Sequence, residues 1–234
     1  MMSIRVRKNE ERGKAKYDWL ESYHTFSFDT YYDEKEMGFG ELRVINEDIV
    51  QSGRGFGEHG HKNMEIITYV VDGELTHRDS TGAKHVMGPG GVQKMSAGRG
   101  IHHSEMNEGS VPVHLFQVWI VPNKQNVEPA YEERKPDPKA RKGNWQILAS
   151  NHSAPDSVSL LADAEILTTV LDPGQTIEYH LATDRRAWLQ VIRGEVKVEG
   201  ENLRQGDGAR LWNVEDIKLV ASFDGAEVIL FDLA

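Results

Sequence analysis

Two stretches of this 234-residue chain, 121 positions apart, carry the same glycine punctuation. Gly53, five residues and His59, followed by Gly73-Glu74, recur as Gly174, five residues and His180, followed by Gly194-Glu195. Glycines at matched spacing make the tight turns that short strands need, so the chain is expected to hold two similar β units in tandem. Runs rich in Val, Ile, Tyr, Phe and Trp at 42–46, 66–71, 114–121, 188–191, 196–199 and 227–231 alternate with Gly, Asn, Asp and Pro. This pattern predicts an all-β fold, with helical spacing reaching at most one turn, at 18–23. The stretch 122–144 carries Pro129, Pro136 and Pro138 and reads as a polar linker. Its cations Arg134, Lys135, Lys139, Arg141 and Lys142 are expected to be solvated rather than a contact patch. The expected division is 1–125, a linker at 126–144, and 145–234.

The chemistry is concentrated in the first unit. His59-Gly60-His61 and His103-Ser104-Glu105 each set two ligand-type side chains at i and i+2, which on a strand project from one face. Two such pairs meeting inside a barrel would offer three imidazoles and one carboxylate to a single ion. The chain has no cysteine, so a transition metal here is restricted to nitrogen and oxygen donors. The second unit has Ala182 where the first has His61, Arg186 where it has Glu65, and no H-x-E afterwards. That unit is expected to keep the turns without the ligands, and His180 to be an ordinary strand histidine.

Gly53-x5-His59-x-His61-x3-Glu65 and Gly98-x-Gly100-x2-His103-x3-Asn107 resemble the two cupin motifs, with Gly98 where the second motif has proline. Further segments carry a closer resemblance: Glu11-Arg12-Gly13, Trp19-Leu20, His24-Thr25-Phe26-Ser27-Phe28, Leu42-Arg43-Val44-Ile45-Asn46, Gly55-Phe56-Gly57 and Met64-Glu65. His77-x-Asp79-Ser80, Met95-Ser96-Ala97-Gly98, Gln117-x-Trp119-Ile120 and Pro129-x-Tyr131-Glu132 continue it. By these residues the N-terminal half resembles the pirin family; the C-terminal half matches it only in broad pattern.

The resemblance implies a bicupin: two antiparallel β-barrels (jelly-roll cupins) face to face, few short helices, and a metal in the first barrel alone. It also implies that the carboxylate ligand is Glu105, and the strand-face spacing with His103 agrees. The expected ligands are therefore His59, His61, His103 and Glu105, with Glu65 as the alternative carboxylate. Four protein ligands leave about two positions open on a six-coordinate divalent ion. Iron stands first, and nickel, manganese, copper and zinc all tolerate this donor set. The implied activity is a dioxygenase that opens the central ring of flavonols such as quercetin with dioxygen and releases carbon monoxide. Glu105 would serve as general base toward the flavonol 3-hydroxyl. The same family includes metal-bearing regulatory proteins that act through protein partners, which is the alternative reading. Another cupin chemistry, such as zinc-dependent sugar isomerisation, is a third.

Other histidines have plainer expectations. His102 should face away from His103; His77 and Asp79 read as strand or turn residues bonding backbone; His85, His114 and His152 as surface or core; His24 as a packing residue, with a place near the pocket rim as the alternative. Phe56, Met64, Met95 and Met106 suit either a substrate pocket or the core. A formal charge of −10 and a pI near 5.5 argue against a nucleic-acid surface. Residues 1–14 are charged with no apolar h-region, and no apolar run approaches the ~20 residues of a membrane span. With no disulfide possible, the expectation is a soluble, cytoplasmic monomer.

Overall fold

The structure is a computed structural model that describes residues 3–80, 82–152 and 154–234. The chain opens with β1 (Ser3–Arg7) and a 3-10 turn, Asn9–Glu11, then β2 (Gly13–Lys16), β3 (Leu20–His24), β4 (Leu42–Val50), β5 (Gly55–His61) and β6 (Glu65–Asp72). It continues through β7 (Leu75–Asp79), β8 (Lys84–Met87), β9 (Val92–Ser96), β10 (Ile101–Met106), β11 (Val113–Ile120) and β12 (Ala130–Arg134). The later strands are β13 (Gln146–Ser150), β14 (Val158–Ser159), β15 (Ala164–Leu171), β16 (Thr176–His180), β17 (Arg186–Val198), β18 (Glu201–Arg204), β19 (Gly208–Trp212) and β20 (Asp216–Leu233). The described residues contain no α-helix. None of their helices is long and apolar enough to cross a membrane. The single helical turn expected at 18–23 is instead the start of β3, whose buried positions alternate with partly exposed ones. A two-residue period suits a half-buried strand, not a helix.

The fold is a bicupin of two compact units. One comprises Gly13–Pro136 with Asp156–Ala162; the other comprises the chain up to Arg12, Asp137–Pro155 and Asp163–Ala234. The contiguous division expected from sequence therefore differs from the structure in three places. β1 pairs along its length with β19, which draws the N-terminus into the C-terminal unit. Residues 156–162 are part of the N-terminal unit, where Leu161 accepts from Asn123 N and donates to Glu65. The proline-bearing stretch also contains β12, an edge strand on β9. Its side chains Tyr131 and Glu132 face buried groups of the unit, as described below.

In the N-terminal unit an antiparallel sheet runs β12-β9-β6-β11-β4-β3-β2, and a second runs β5-β10-β7-β8. These are open cupin-like sheets, not hydrogen-bonded cylinders. The buried apolar side chains of the unit include a cluster of Leu20, Val50, Val70, Leu75, Met87, Val113 and Leu115, and another of Ile66, Met95, Ala97 and Ile101. Met64 and Met95 thus belong to the core, whereas Phe56 packs on the first cluster and also lines a cavity. In the C-terminal unit the sheet runs β1-β19-β17-β20-β15-β13, with β16 on β20 and β18 on β17. Its core is aliphatic, including Leu189, Val191, Leu211, Leu219 and Leu230, all buried completely.

One row of the larger N-terminal sheet breaks the apolar pattern. The register sets His24 opposite Asn46, Asn46 opposite Gln117, Gln117 opposite Thr68, and Thr68 opposite Gln93. Five adjacent strands therefore carry a continuous polar line through a region otherwise built of Val, Ile and Leu. Most buried polar groups are partnered, and the partner of three of these residues is Glu105.

Candidate metal centre

β5 and β10 are antiparallel neighbours in the smaller sheet, with His59 directly opposite His103 and His61 opposite Ile101. The i, i+2 spacing puts His59 and His61 on the same face as His103. The three imidazoles form a triangle with ring centroids 4.7, 4.5 and 5.0 Å apart. Their ligand-capable nitrogens lie within 4.8 Å of one another. His102 points to the other face beside Gly60 and is exposed, as its position on the strand requires.

Hydrogen bonds fix the tautomers of this cluster. His59 Nδ1 lies 2.8 Å from the Gly57 carbonyl; a carbonyl only accepts, so Nδ1 carries the proton and Nε2 a lone pair. On the other side, Asp79 Oδ2 is 3.2 Å from His77 Nε2, and His77 Nδ1 is 3.5 Å from His103 Nδ1. Asp79 accepts from His77, His77 then accepts from His103, and His103 is left with its lone pair on Nε2. The two lone pairs face each other at a separation of 3.1 Å between His59 Nε2 and His103 Nε2. Two acceptors at that distance repel unless a cation joins them. Burial, followed by the neighbouring imidazoles, depresses His103 to about 2. Burial and then His59 lower His61 to about 4. Neutral imidazoles with outer partners that set the tautomer are what a metal ligand set requires, and the residues fit a divalent transition metal.

Glu105 stands differently from the expected four-ligand set. The β10–β5 register slips between His103 and Glu105, so Glu105 falls opposite Phe56, whereas β10–β7 runs without interruption and sets Glu105 opposite His77. The extra residue lies in β5, between Phe56 and His59, so β10 itself stays regular. The Glu105 carboxylate groups with His77 and His103 and does not join the triangle of His59, His61 and His103. It lines the same cavity as His59 and His61. Gly55 permits the close approach of β5 here, because a Cβ would meet the Glu105 carbonyl at 2.2 Å.

Three side chains from the polar row hold this carboxylate. Gln93 Nε2 and Thr68 Oγ1 donate to Oε1 at 2.8 and 3.3 Å, and Gln117 Nε2 donates to Oε2 at 2.6 Å. Trp119 Nε1 donates to Gln117 Oε1 at 3.1 Å and so orients that amide, while the Tyr131 hydroxyl has one proton between Gln93 Oε1 at 3.0 Å and Glu133 Oε2 at 3.1 Å. Burial raises Glu105 to about 7 even against these donors. Tyr131 is pushed above its ordinary value, first by burial and then by the Glu133 carboxylate.

Glu65 lies elsewhere. It is 1% exposed, 3.9 Å from the buried Lys94 ammonium, and accepts from Leu161 N. Lys94 is held in turn by Glu132 at 3.1 Å and Ser96 at 3.0 Å. Burial raises Glu65, and Lys94 opposes this. Glu65 is an ion-pair partner in the core, apart from the histidine triangle. Asn107 is fully buried and bonds the carbonyls of Val50 and Val111 and Gly109 N, so it ties loops together. His180 pairs with Asp216 at the surface, and His114 with Glu47.

A cavity of about 720 Å³ opens on this cluster. Trp19, Phe28, Phe56 and Trp119 supply flat walls; Trp119 meets His61 edge-on at 4.9 Å. Ser22, His24, Asn46 and Asp48 make a polar side. Burial raises Asp48 to about 7, with Ser22 opposing. The sequence pattern did not expose His77, Gln93, Gln117 and Thr68 as a set around Glu105. The cross-strand pairing of His77-x-Asp79 with His103-x-Glu105 was the available signal, and it needs the register.

Fold and donor set together define a bicupin whose first unit carries a three-histidine cluster suited to a metal ion. Residues 5–120 match the family model for Pirin, and residues 147–233 match that for the quercetinase C-terminal cupin domain. The chain is 43% identical over 231 residues to a quercetin 2,3-dioxygenase of Escherichia coli K12, covering 98% of each. It is 40% identical to a pirin-like protein of Caulobacter vibrioides, covering 96% of this chain and 97% of that one. The bacterial pirin YhhW of Escherichia coli, solved in complex with nickel(II), superposes with a TM-score of 0.93 at 41% identity, covering 99% of both chains. The chain belongs to the pirin family.

Proposed function

We propose that this protein is a metal-dependent dioxygenase that cleaves the central ring of flavonols such as quercetin, consuming dioxygen and releasing carbon monoxide. The observation that carries the reading is the 3.1 Å approach of His59 Nε2 to His103 Nε2 beside an aromatic-walled cavity lined by His59, His61 and Glu105. The names of the Escherichia coli relatives support it. His59, His61 and His103 would hold the metal, with Glu105 as the carboxylate ligand and base. A divalent ion bound there supplies Lewis acidity toward a ligand oxygen.

The chain's own residues do the rest. Trp19, Phe28, Phe56 and Trp119 sandwich a planar ring system and keep water from it. Glu105 takes the proton of the flavonol 3-hydroxyl, and a base near neutrality suits that step. Gln93, Gln117 and Thr68 keep its two oxygens in place before and after the transfer. The electron-rich flavonolate reacts with dioxygen; both oxygen atoms enter the organic product, two ring C–C bonds break, and the carbon between them leaves as carbon monoxide.

The test reloads metal-free protein separately with Fe(II), Ni(II), Mn(II), Cu(II) and Zn(II) and follows quercetin absorbance in air. At least one form should consume quercetin. If every form leaves it untouched, the dioxygenase reading fails.

A further inference from the structure

We propose that Tyr131 is a redox-active side chain that gives one electron to the metal centre when peroxide reaches it, passing its phenolic proton to Glu133. This goes beyond the flavonol reading and needs only the metal site. The route is a column of rings. Tyr131 lies tilted against His77 with centroids 4.6 Å apart, and His77 lies 5.2 Å from His103, a proposed metal ligand. The facing Nδ1 atoms of His77 and His103 are 3.5 Å apart. On the outer side Tyr131 stacks on His85 at 4.2 Å and 22°, and the His85 side chain is 32% exposed. Electrons cross ring contacts of this length without the donor touching the ion, so Tyr131 connects a buried ligand to the surface.

What marks this phenol out is where its proton can go. Losing an electron makes a phenol strongly acidic, so the proton must leave with it. The Tyr131 hydroxyl has two acceptors, Gln93 Oε1 at 3.0 Å and Glu133 Oε2 at 3.1 Å. An amide oxygen does not keep a proton at neutral pH, whereas a carboxylate within hydrogen-bond reach does. Glu133 also pairs with His85 Nδ1 at 3.3 Å and is partly exposed, so the proton passes on to water. Burial, then the Glu133 carboxylate, raises Tyr131 above its ordinary value, so the resting phenol keeps its proton. Trp119 is the contrasting case. It meets His61 edge-on at 4.9 Å, but its N–H donates to Gln117, an amide that takes up no proton. The balance closes with a ferrous ion in the site. Peroxide takes two electrons and two protons, its O–O bond breaks, and two waters form. One electron comes from Fe(II), which ends as Fe(III). Tyr131 supplies the other electron and one proton, and solvent supplies the second proton. The side chain is left as a neutral phenoxyl radical, which a reductant such as ascorbate restores by returning a hydrogen atom. The oxidising equivalent is thereby drawn away from the imidazole ligands.

The experiment mixes Fe(II)-loaded protein, without flavonol, with one equivalent of hydrogen peroxide, freezes it within milliseconds and reads the electron paramagnetic resonance. The parent should give a tyrosyl signal that narrows when the protein carries ring-deuterated tyrosine. At matched iron occupancy, Tyr131→Phe should lose this signal. Glu133→Gln keeps the phenol and should cut the signal several-fold. Tyr32→Phe, at a residue 73% exposed, should leave it unchanged. Peptide mass spectrometry reads where the equivalent goes instead: oxidation of His59, His61 and His103 should rise several-fold in Tyr131→Phe. If Tyr131→Phe does not fold, Glu133→Gln carries the test. A parent that binds no Fe(II) or shows no tyrosyl signal overturns the assignment, as does a signal undiminished in Tyr131→Phe or in Glu133→Gln. With no flavonol present, the result stands apart from whether quercetin is cleaved.

Discussion

The hydroxyl of Tyr131 lies 3.0 Å from Gln93 Oε1 and 3.1 Å from Glu133 Oε2, so its single proton is divided between the amide that holds Glu105 and an outer carboxylate. When that proton is on the Gln93 side the amide oxygen is engaged, and Nε2 is the end offered to Glu105 Oε1, at 2.8 Å. Trp119 orients Gln117 toward the other carboxylate oxygen in the same manner. Tyr131→Phe keeps the ring between His77 and His85 but removes the donor. Gln93→Leu should weaken Ni(II) binding about tenfold, in line with other outer partners of metal ligands. Tyr131→Phe should weaken it several-fold in the parent and have little further effect in Gln93→Leu. A double-mutant cycle by calorimetric titration checks this; equal losses in both backgrounds would refute the relay.

His61→Ala and His59→Ala should each lose most bound metal, because the triangle then has two imidazoles. His180→Ala should lose none, since His180 pairs with Asp216 at the surface of the other unit. Elemental analysis of the three purified variants decides the matter.

Glu105→Gln and Glu65→Gln should separate chemistry from stability. The first replaces the proposed base and should cut turnover at matched metal occupancy. The second removes one partner of the buried Lys94, which keeps Glu132, and should cost about 2 kcal/mol of stability with turnover largely retained. The opposite ranking of turnover would move the carboxylate role to Glu65.

Asp48 gives a pH signature. Burial raises it to about 7 from 3.8, so the unfolded chain releases this proton at lower pH than the folded one. Between about pH 4 and 7 the unfolded state then binds fewer protons, and stability falls as pH rises. Denaturant unfolding of metal-free parent and Asp48→Asn should diverge across that window. The parent should lose a few kcal/mol relative to the variant, and the difference should level off above about pH 7. A constant difference across the window would show that Asp48 ionises in the fold as it does in the open chain.

The histidine triangle was legible because strand geometry maps i, i+2 onto one face, and the motifs gave both pairs at once. Two tandem β units were legible from the repeated glycine spacing, and the bicupin from the resemblance to the pirin family. The environment of Glu105 was not, because Thr68, Gln93 and Gln117 lie on three strands and only the register aligns them. The register slip beside Glu105 lies in β5, between Phe56 and His59, and so leaves no mark in His103-Ser104-Glu105. Tyr131 fell within a stretch read as linker, since proline and charge mask an edge strand of five residues. The return of residues 156–162 to the N-terminal unit is likewise a tertiary choice that no periodicity encodes.

Gas and substrate stoichiometry on the metal-loaded protein tests the proposed function most directly. Quercetin loss, dioxygen uptake and trapped carbon monoxide should rise together in equal amounts, and a flavone lacking the 3-hydroxyl should be inert because Glu105 has no proton to take. Quercetin loss without carbon monoxide, or equal turnover of the 3-deoxy compound, would contradict the assignment.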